Sequence, residues 1–168
     1  MAILLDIQGI PGESVHDTHP EWNLKIQISS TSYDVSQRAS VQTGTGLVAA
    51  GASMSNISIT KTMDKSTPLL FGKLTAAEPI DQMFLRFTRA GGAQGVYEVL
   101  TVQLDNVLVT SYHTSGQRGG GGMPTESLSF SVGSIKETYD IRDERGMAQS
   151  KQTGGYDFMQ NVAASRTA

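Results

Sequence analysis

Apolar and polar residues alternate along most of this chain with a period of two, the spacing that turns one face of a strand toward a core. Ile3, Leu5 and Ile7 alternate with Leu4, Asp6 and Gln8, predicting a first strand from Ile3 to Gly9 that the turn Gly9 to Gly12 closes. Trp22, Leu24, Ile26 and Ile28 share the next face, in a strand drawn from Trp22 to Gln37. Its second half, SSTSYDVSQ, is small and polar with little to bury, so that half meets water or a partner. Ile57 and Ile59 mark a strand over Met54 to Met63, and Met83, Leu85 and Phe87 mark one over Ile80 to Ala90. The turn AGGAQG leads into a long strand, Val96 to Tyr112, whose apolar phase slips at Asp105 and Asn106, which predicts a kink. Leu128, Phe130 and Val132 continue the pattern from Thr125 to Ile141, with Gly133 resetting it before Ile135, Glu137 and Tyr139, and Tyr156 to Met159 adds a short last strand.

The period changes once. Thr67 before Pro68 combines an N-cap residue with a proline suited to the first helical turn. Leu70, Phe71, Leu74 and Ala77 follow at helical spacing until Pro79 ends the run. This predicts one helix at about residues 66–77, starting at Pro68, with Leu70, Phe71 and Leu74 in the core. Asp64 and Lys65 sit at the strand-to-helix junction, setting the helix entry angle or facing a neighbouring subunit. Three stretches read as irregular: Arg38 to Ser53, too long and too poor in large apolar residues for an ordinary hairpin loop, Thr114 to Pro124, and the polar segment Arg142 to Gly155. The fold class is therefore mainly β: a β-barrel of two packed antiparallel sheets with one flanking α-helix. Residues 1–160 form a single domain with an extended loop at 38–53, followed by a flexible tail at 161–168.

Composition narrows the function. The chain has no cysteine, which removes disulfides, thiolate metal sites and cysteine nucleophiles together. A formal net charge of -3 gives no reason to expect nucleic acid as a partner. Asp6 interrupts the apolar start too early for a signal peptide, and no run is long enough to insert into a membrane. The chain is read as made in the cytoplasm, with any export using a route that ignores such a signal. His16 and His19, near Asp17 and Glu21, lie in a loop with only His113 elsewhere, so they are read as surface histidines and no metal is expected. The glycines of GTGLVAAG and at 119–122 match no phosphate-binding spacing, so no cofactor is expected, and the single Arg118-Gly-Gly is discounted as an RNA signal. Asp140, Asp143 and Glu144 with Arg142 and Arg145 form a solvated ionic turn. With no nucleophile beside a base, the chain is not an enzyme. Sheets with small polar faces and exposed edges need covering, and ordered assembly is one way to cover them.

The stretch ITKTMDKSTPLLF resembles the strand-to-helix signature of Hcp proteins, the haemolysin-coregulated tube subunits of bacterial type VI secretion systems. LLDIQGIPGES, SYDVSQ, LTVQLDNVLVTSYHTSG, ESLSFSVGSIKETYD and GYDF resemble further blocks of the same family, in the same order and over most of the chain. The resemblance implies a hexameric ring of β-barrels that stacks into a hollow tube. A contractile sheath propels such a tube, tipped by a spike protein and carrying small effectors, from the cytoplasm into a target cell or the extracellular space. Its partners are then itself, sheath and spike proteins and effectors. Thr31 and Tyr33 stand where many members have tryptophan, which implies a different lumen lining, and the tail past Phe158 is too short for a fused toxin domain.

On this reading Ser30, Ser32 and Ser36 face the lumen, and the 38–53 loop stacks rings through Val41, Gly44, Gly46, Leu47, Val48 and Gly51. The other reading, from a different class, is a monomeric β-barrel module that binds carbohydrate or peptide. It wants clustered exposed aromatics, and the chain has one tryptophan.

Overall fold

The computed structural model describes residues 1–16, 19–42, 44, 46–91, 95–116, 122–143 and 147–164. Asp17, Arg118, the glycines at 119–121, Glu144, Arg145 and the tail end at 165–168 lie outside them. The strands are β1 (Ala2–Ile7), β2 (Ile26–Ile28), β3 (Ser30–Ser32), β4 (Val35–Gln42), β5 (Gly46–Met54), β6 (Ile57–Thr62), β7 (Ile80–Ala90), β8 (Val96–Ser115), β9 (Thr125–Arg142), β10 (Ala148–Asp157) and β11 (Val162–Ala164), with helix α1 at Thr67–Thr75 between β6 and β7. All pairings are antiparallel. Nine strands form one sheet and β4 and β5 form a second, two-stranded one.

The spine is the hairpin of β8 and β9, 20 and 18 residues long. The first half of β8 pairs with β7, which pairs with β1, which pairs with β2. The first half of β9 pairs with β6, and β6 with β3. Residues 26–32 join the two ends, with the Ser29 N–H donating to the Thr60 carbonyl at 2.8 Å, so the pairing runs round a barrel-like circuit. Inside it lie Leu5, Ile26, Met83, Leu85, Val102 and Leu104 from one side and Ile57, Ile59, Val109, Leu128 and Phe130 from the other.

The kink read from the sequence is real and doubled. Burial in β8 passes from Val102 and Leu104 to Val107 and Val109, and in β9 from Leu128 and Phe130 to Ile135. Both slips occur at one level, because Asp105 pairs with Ser134 and Val107 with Val132. Asn106 takes a left-handed φ of 52° there, and a Cβ on Gly133 would stand 2.9 Å from the Asn106 Cβ, so only glycine lets the two strands cross at this bend.

Four sequence readings are corrected. The alternation at Trp22 and Leu24 is not a strand: Pro20–Trp22 forms a 3₁₀ turn and Leu24 sits exposed at φ 61°. Ser14 holds this segment instead, its buried hydroxyl donating to the Trp22 carbonyl and accepting from the Lys25 N–H. The 38–53 stretch is not an irregular loop but most of the β4–β5 ribbon, and the polar 148–155 stretch belongs to β10, carried by backbone pairing with β9. The start of the tail, Val162–Ala164, is paired as β11.

Gly12 makes the tightest approach. A Cβ there would lie 2.2 Å from the Lys25 carbonyl oxygen, which is backbone and cannot swing away. Gly12→Ala is expected to cost about 3 kcal/mol in urea unfolding, the upper range for forced overpacking.

Helix α1 lies against β8. Leu70 is fully buried and Leu74 partly packed, as read, but Phe71 is 49% exposed, meeting Tyr112 edge-on at 5.6 Å. The reason is geometric. A nine-residue helix lying on one strand buries a narrow stripe, and residue 71 turns to its margin. Ala77 is exposed at φ 51°, closing the helix with the Glu78 N–H on the Lys73 carbonyl at 3.1 Å. Leu70→Ala is therefore expected to cost about 2 to 5 kcal/mol and Phe71→Ala only about 1, measured by chemical denaturation.

Candidate functional site

Three features stand out at the surface and beneath it. The first is a sheet face of short hydroxyl side chains. Register places Ser30 opposite Thr60 and Ser32 opposite Ser58, and those residues opposite Ser127 and Ser129 of β9. Their inward neighbours Ile57, Ile59, Leu128 and Phe130 are core, so the hydroxyls all point outward. Ser58 pairs with Ser129 through their hydroxyls at 3.3 Å, and β8 extends the face with Ser111 and His113. Such a surface is flat, polar and nearly free of charge.

Ser30 and Ser32 belong to this face. Ser36 does not: it lies on β4, its hydroxyl 3.3 Å from that of Ser53 on β5. Thr31 and Tyr33 alternate with the serines and point to the other side. Thr31 pairs with buried Ile59, and the Tyr33 hydroxyl donates to Glu137. The departure from tryptophan at these positions thus leaves the serine face itself unchanged.

The second feature is the β4–β5 ribbon. Val41 pairs with Leu47 and Ser40 with Val48, yet Val41 is 82% and Leu47 74% exposed. Gly44 and Gly46 take left-handed φ values of 97° and 80° in the turn. The ribbon packs chiefly on itself. A hydrogen bond ties its base to the body, the Ala52 N–H donating to the Tyr156 hydroxyl at 3.3 Å. Gly51 presses against Asn161 there, and an added Cβ would overlap the Asn161 amide. A lone two-stranded ribbon with an apolar tip is marginal in water.

The third feature is buried, behind the start of α1. Lys61, wholly buried, places its Nζ 2.6 Å from Glu126 Oε1 and 2.7 Å from Asp64 Oδ1. Lys61 and Glu126 are cross-strand partners. The Tyr112 hydroxyl donates to Glu126 Oε2 at 3.0 Å, the Thr67 hydroxyl to Glu126 Oε1 at 2.9 Å, and the Ser66 N–H to Asp64 Oδ1 at 2.9 Å. Thr67 thus serves the cluster rather than capping the helix, and it is itself the first helical residue, one before Pro68. Of the junction pair, Asp64 belongs to the cluster, whereas Lys65 is exposed, its backbone N–H donating to Glu13 Oε1 at 3.1 Å. The sequence reading missed Lys61 and Glu126. The signal was present: Lys61 is in phase with Ile57 and Ile59, and Glu126 with Leu128 and Phe130.

His16 and His19 pack against Trp22 as aromatics. His19 stacks on Trp22 at 4.0 Å and pairs with Glu21 at 2.9 Å, a bond that holds the Glu21 carboxyl below its ordinary range. Among the described residues no three His, Asp or Glu side chains are grouped to hold a metal. Trp22 is 4% exposed, its indole N–H donating to Glu98, so it offers no platform for a sugar ring. Among the described residues no helix is long and apolar enough to cross a membrane.

The described residues form a barrel-like antiparallel sheet with one short helix and a projecting two-stranded ribbon. A family model described as type VI secretion system effector, Hcp, matches residues 4–139, and the chain belongs to the Hcp family of type VI secretion proteins. Protein hcp1 of Pseudomonas aeruginosa is 31% identical over 163 residues, covering 96% of this chain and 98% of that protein. Hcp1 from Salmonella typhimurium superposes with a TM-score of 0.75 at 25% identity, covering 97% of this chain and 98% of that one. A structure described as a type six secretion system protein shares the fold with a TM-score of 0.86 at 23% identity, over 97% and 99% of the two chains.

Proposed function

We propose that this chain is the structural subunit of a type VI secretion inner tube. Copies associate laterally into a hexameric ring through heterologous contacts, which the closed rotation repeats at every subunit. The rings stack through the β4–β5 ribbon, with Val41, Leu47 and Val48 as its apolar contacts and Gly44, Gly46 and Gly51 fixing its shape. The face carrying Ser30 and Ser32 lines the lumen and takes up small effectors. Ser36, on the ribbon, joins the stacking surface instead, and exposed Lys65 remains available to a neighbour. Sheath and spike proteins complete the partners, and export runs from the bacterial cytoplasm.

The observation that carries this reading is an apolar ribbon tip left in water beside a neutral hydroxyl face, in a chain of this family. A monomer with such a ribbon is incomplete, whereas a stacked ring covers it. A side-chain-resolution electron-microscopic reconstruction tests the assignment. Rings with Ser30 and Ser32 on the inner wall are expected. Rings with those serines on the outer wall would overturn the lumen assignment alone.

A further inference from the structure

Beside the ribbon's base lies an open groove of about 590 Å³. Tyr33, Tyr139 and Tyr156 wall it, and Asp34 and Glu137 bring two carboxylates to it, with no lysine or arginine among the residues that line it. Gly154 opens its floor, a Cβ there meeting nothing within 4 Å. Glu137 already accepts the Tyr33 hydroxyl. Burial, with that bond, raises the Tyr33 phenol above its ordinary range, so the ring stays neutral. Among the described residues the Asp34 carboxylate makes no hydrogen bond or ion pair, and only its backbone is engaged, with Ser55. Aromatic faces beside an unpaired carboxylate are the chemistry that holds a planar cation with an apolar stem.

The ribbon carries one such group. From Val35 to Met54 its single charged residue is Arg38, which sits at the register shift between Gln37 and Ala39, where the extra residue lies on the facing strand β5. Arg38 is exposed and forms no ion pair in its own chain among the described residues. At about 3.3 Å per residue Arg38 stands some 10 Å out along the ribbon from Val35, clear of the base.

We propose that the groove is the socket for the ribbon of a second copy of this chain, with Arg38 of that copy seated between the tyrosines and paired to Asp34. This inference rests on the tube reading and names the receiving surface that the reading leaves open. It also accounts for a cation placed in an otherwise neutral arm. A head-to-tail contact of this kind propagates, because each copy presents both a ribbon and a socket.

The absence of cysteine from the chain gives a clean test. Full-length Ala39→Cys protein is mixed with full-length Gln152→Cys protein, both keeping Arg38 and Asp34, under conditions that give rings, and treated with a short bis-maleimide. A cross-linked dimer found in the mixture and in neither protein alone is expected. It falls to background when Arg38→Glu is added to the first protein, and returns when Asp34→Arg is added to the second. Gly154→Leu, which fills the groove from an open position, also removes it. Rings and tubes without a mixture-specific cross-link would overturn the socket and leave the tube reading standing, as would a cross-link indifferent to Arg38→Glu. Monomers alone in the electron microscope would overturn the tube reading itself, and the socket with it.

Discussion

Lys61→Met is expected to destabilise the folded chain by about 3 to 5 kcal/mol, read as a lower urea midpoint. The substitution keeps the length and apolar volume of the side chain, so packing is not what is lost. It leaves Glu126, wholly buried, and Asp64, 11% exposed, without the ammonium that lies within 2.7 Å of both. Two carboxylates then share a site with little water, held by the hydroxyls of Tyr112, Thr67 and Ser66 and by the Ser66 N–H. Breaking a buried pair from one side costs more than the pair itself contributes. Lys61→Met with Glu126→Leu is accordingly expected to recover part of the loss. A loss as large in the double variant would mean that the cluster acts through other groups. Because Thr67 and Ser66 open α1, the damage is expected to be local first, loosening the helix from β8.

The second large effect concerns assembly. Val41→Asp with Leu47→Asp is expected to leave the fold and the lateral ring intact while abolishing lengthwise growth of tubes. Both side chains are on average more than three-quarters exposed in the single chain, so polar replacements cost it little. Burying two carboxylates at a contact between rings would cost several kcal/mol per contact, repeated at every subunit. Sedimentation and electron microscopy separate the two outcomes, since single rings without tubes are expected. Tubes of normal length would remove the ribbon tip from stacking. Substituting Gly51 is a poorer test, because a side chain there strikes Asn161 and disturbs the ribbon's base.

Much of the barrel was legible because its strands bury one face. The phases of Ile57 and Ile59, of Met83 and Leu85, and of Leu128 and Phe130 each identified a strand and its inner side, and the slips at Asn106 and Gly133 located the bend. The ribbon and β10 were not legible for the opposite reason. Val35 to Met54 has no face to bury in a single chain, and AQSKQTGG is polar on both sides, so backbone pairing alone defines these strands. Trp22 and Leu24 misled because their spacing matched a strand by coincidence, while Pro20 and Ser14 fixed a turn. Alternation put Ser30 and Ser32 on one side of their strand, and the register gives both the same hydroxyl-bearing face. Ser36, read with them, lies instead on β4, because β3 ends at Ser32. Lys61 is masked in the sequence by the charged pair Asp64 and Lys65 that follows it, although its phase with Ile57 and Ile59 puts it inside.

The mass of the purified protein in solution, measured by light scattering or native mass spectrometry, bears most directly on the account. A ring of six copies of this 18.0 kDa chain predicts a species of about 108 kDa that persists on dilution. A single species at 18.0 kDa at every concentration would contradict it.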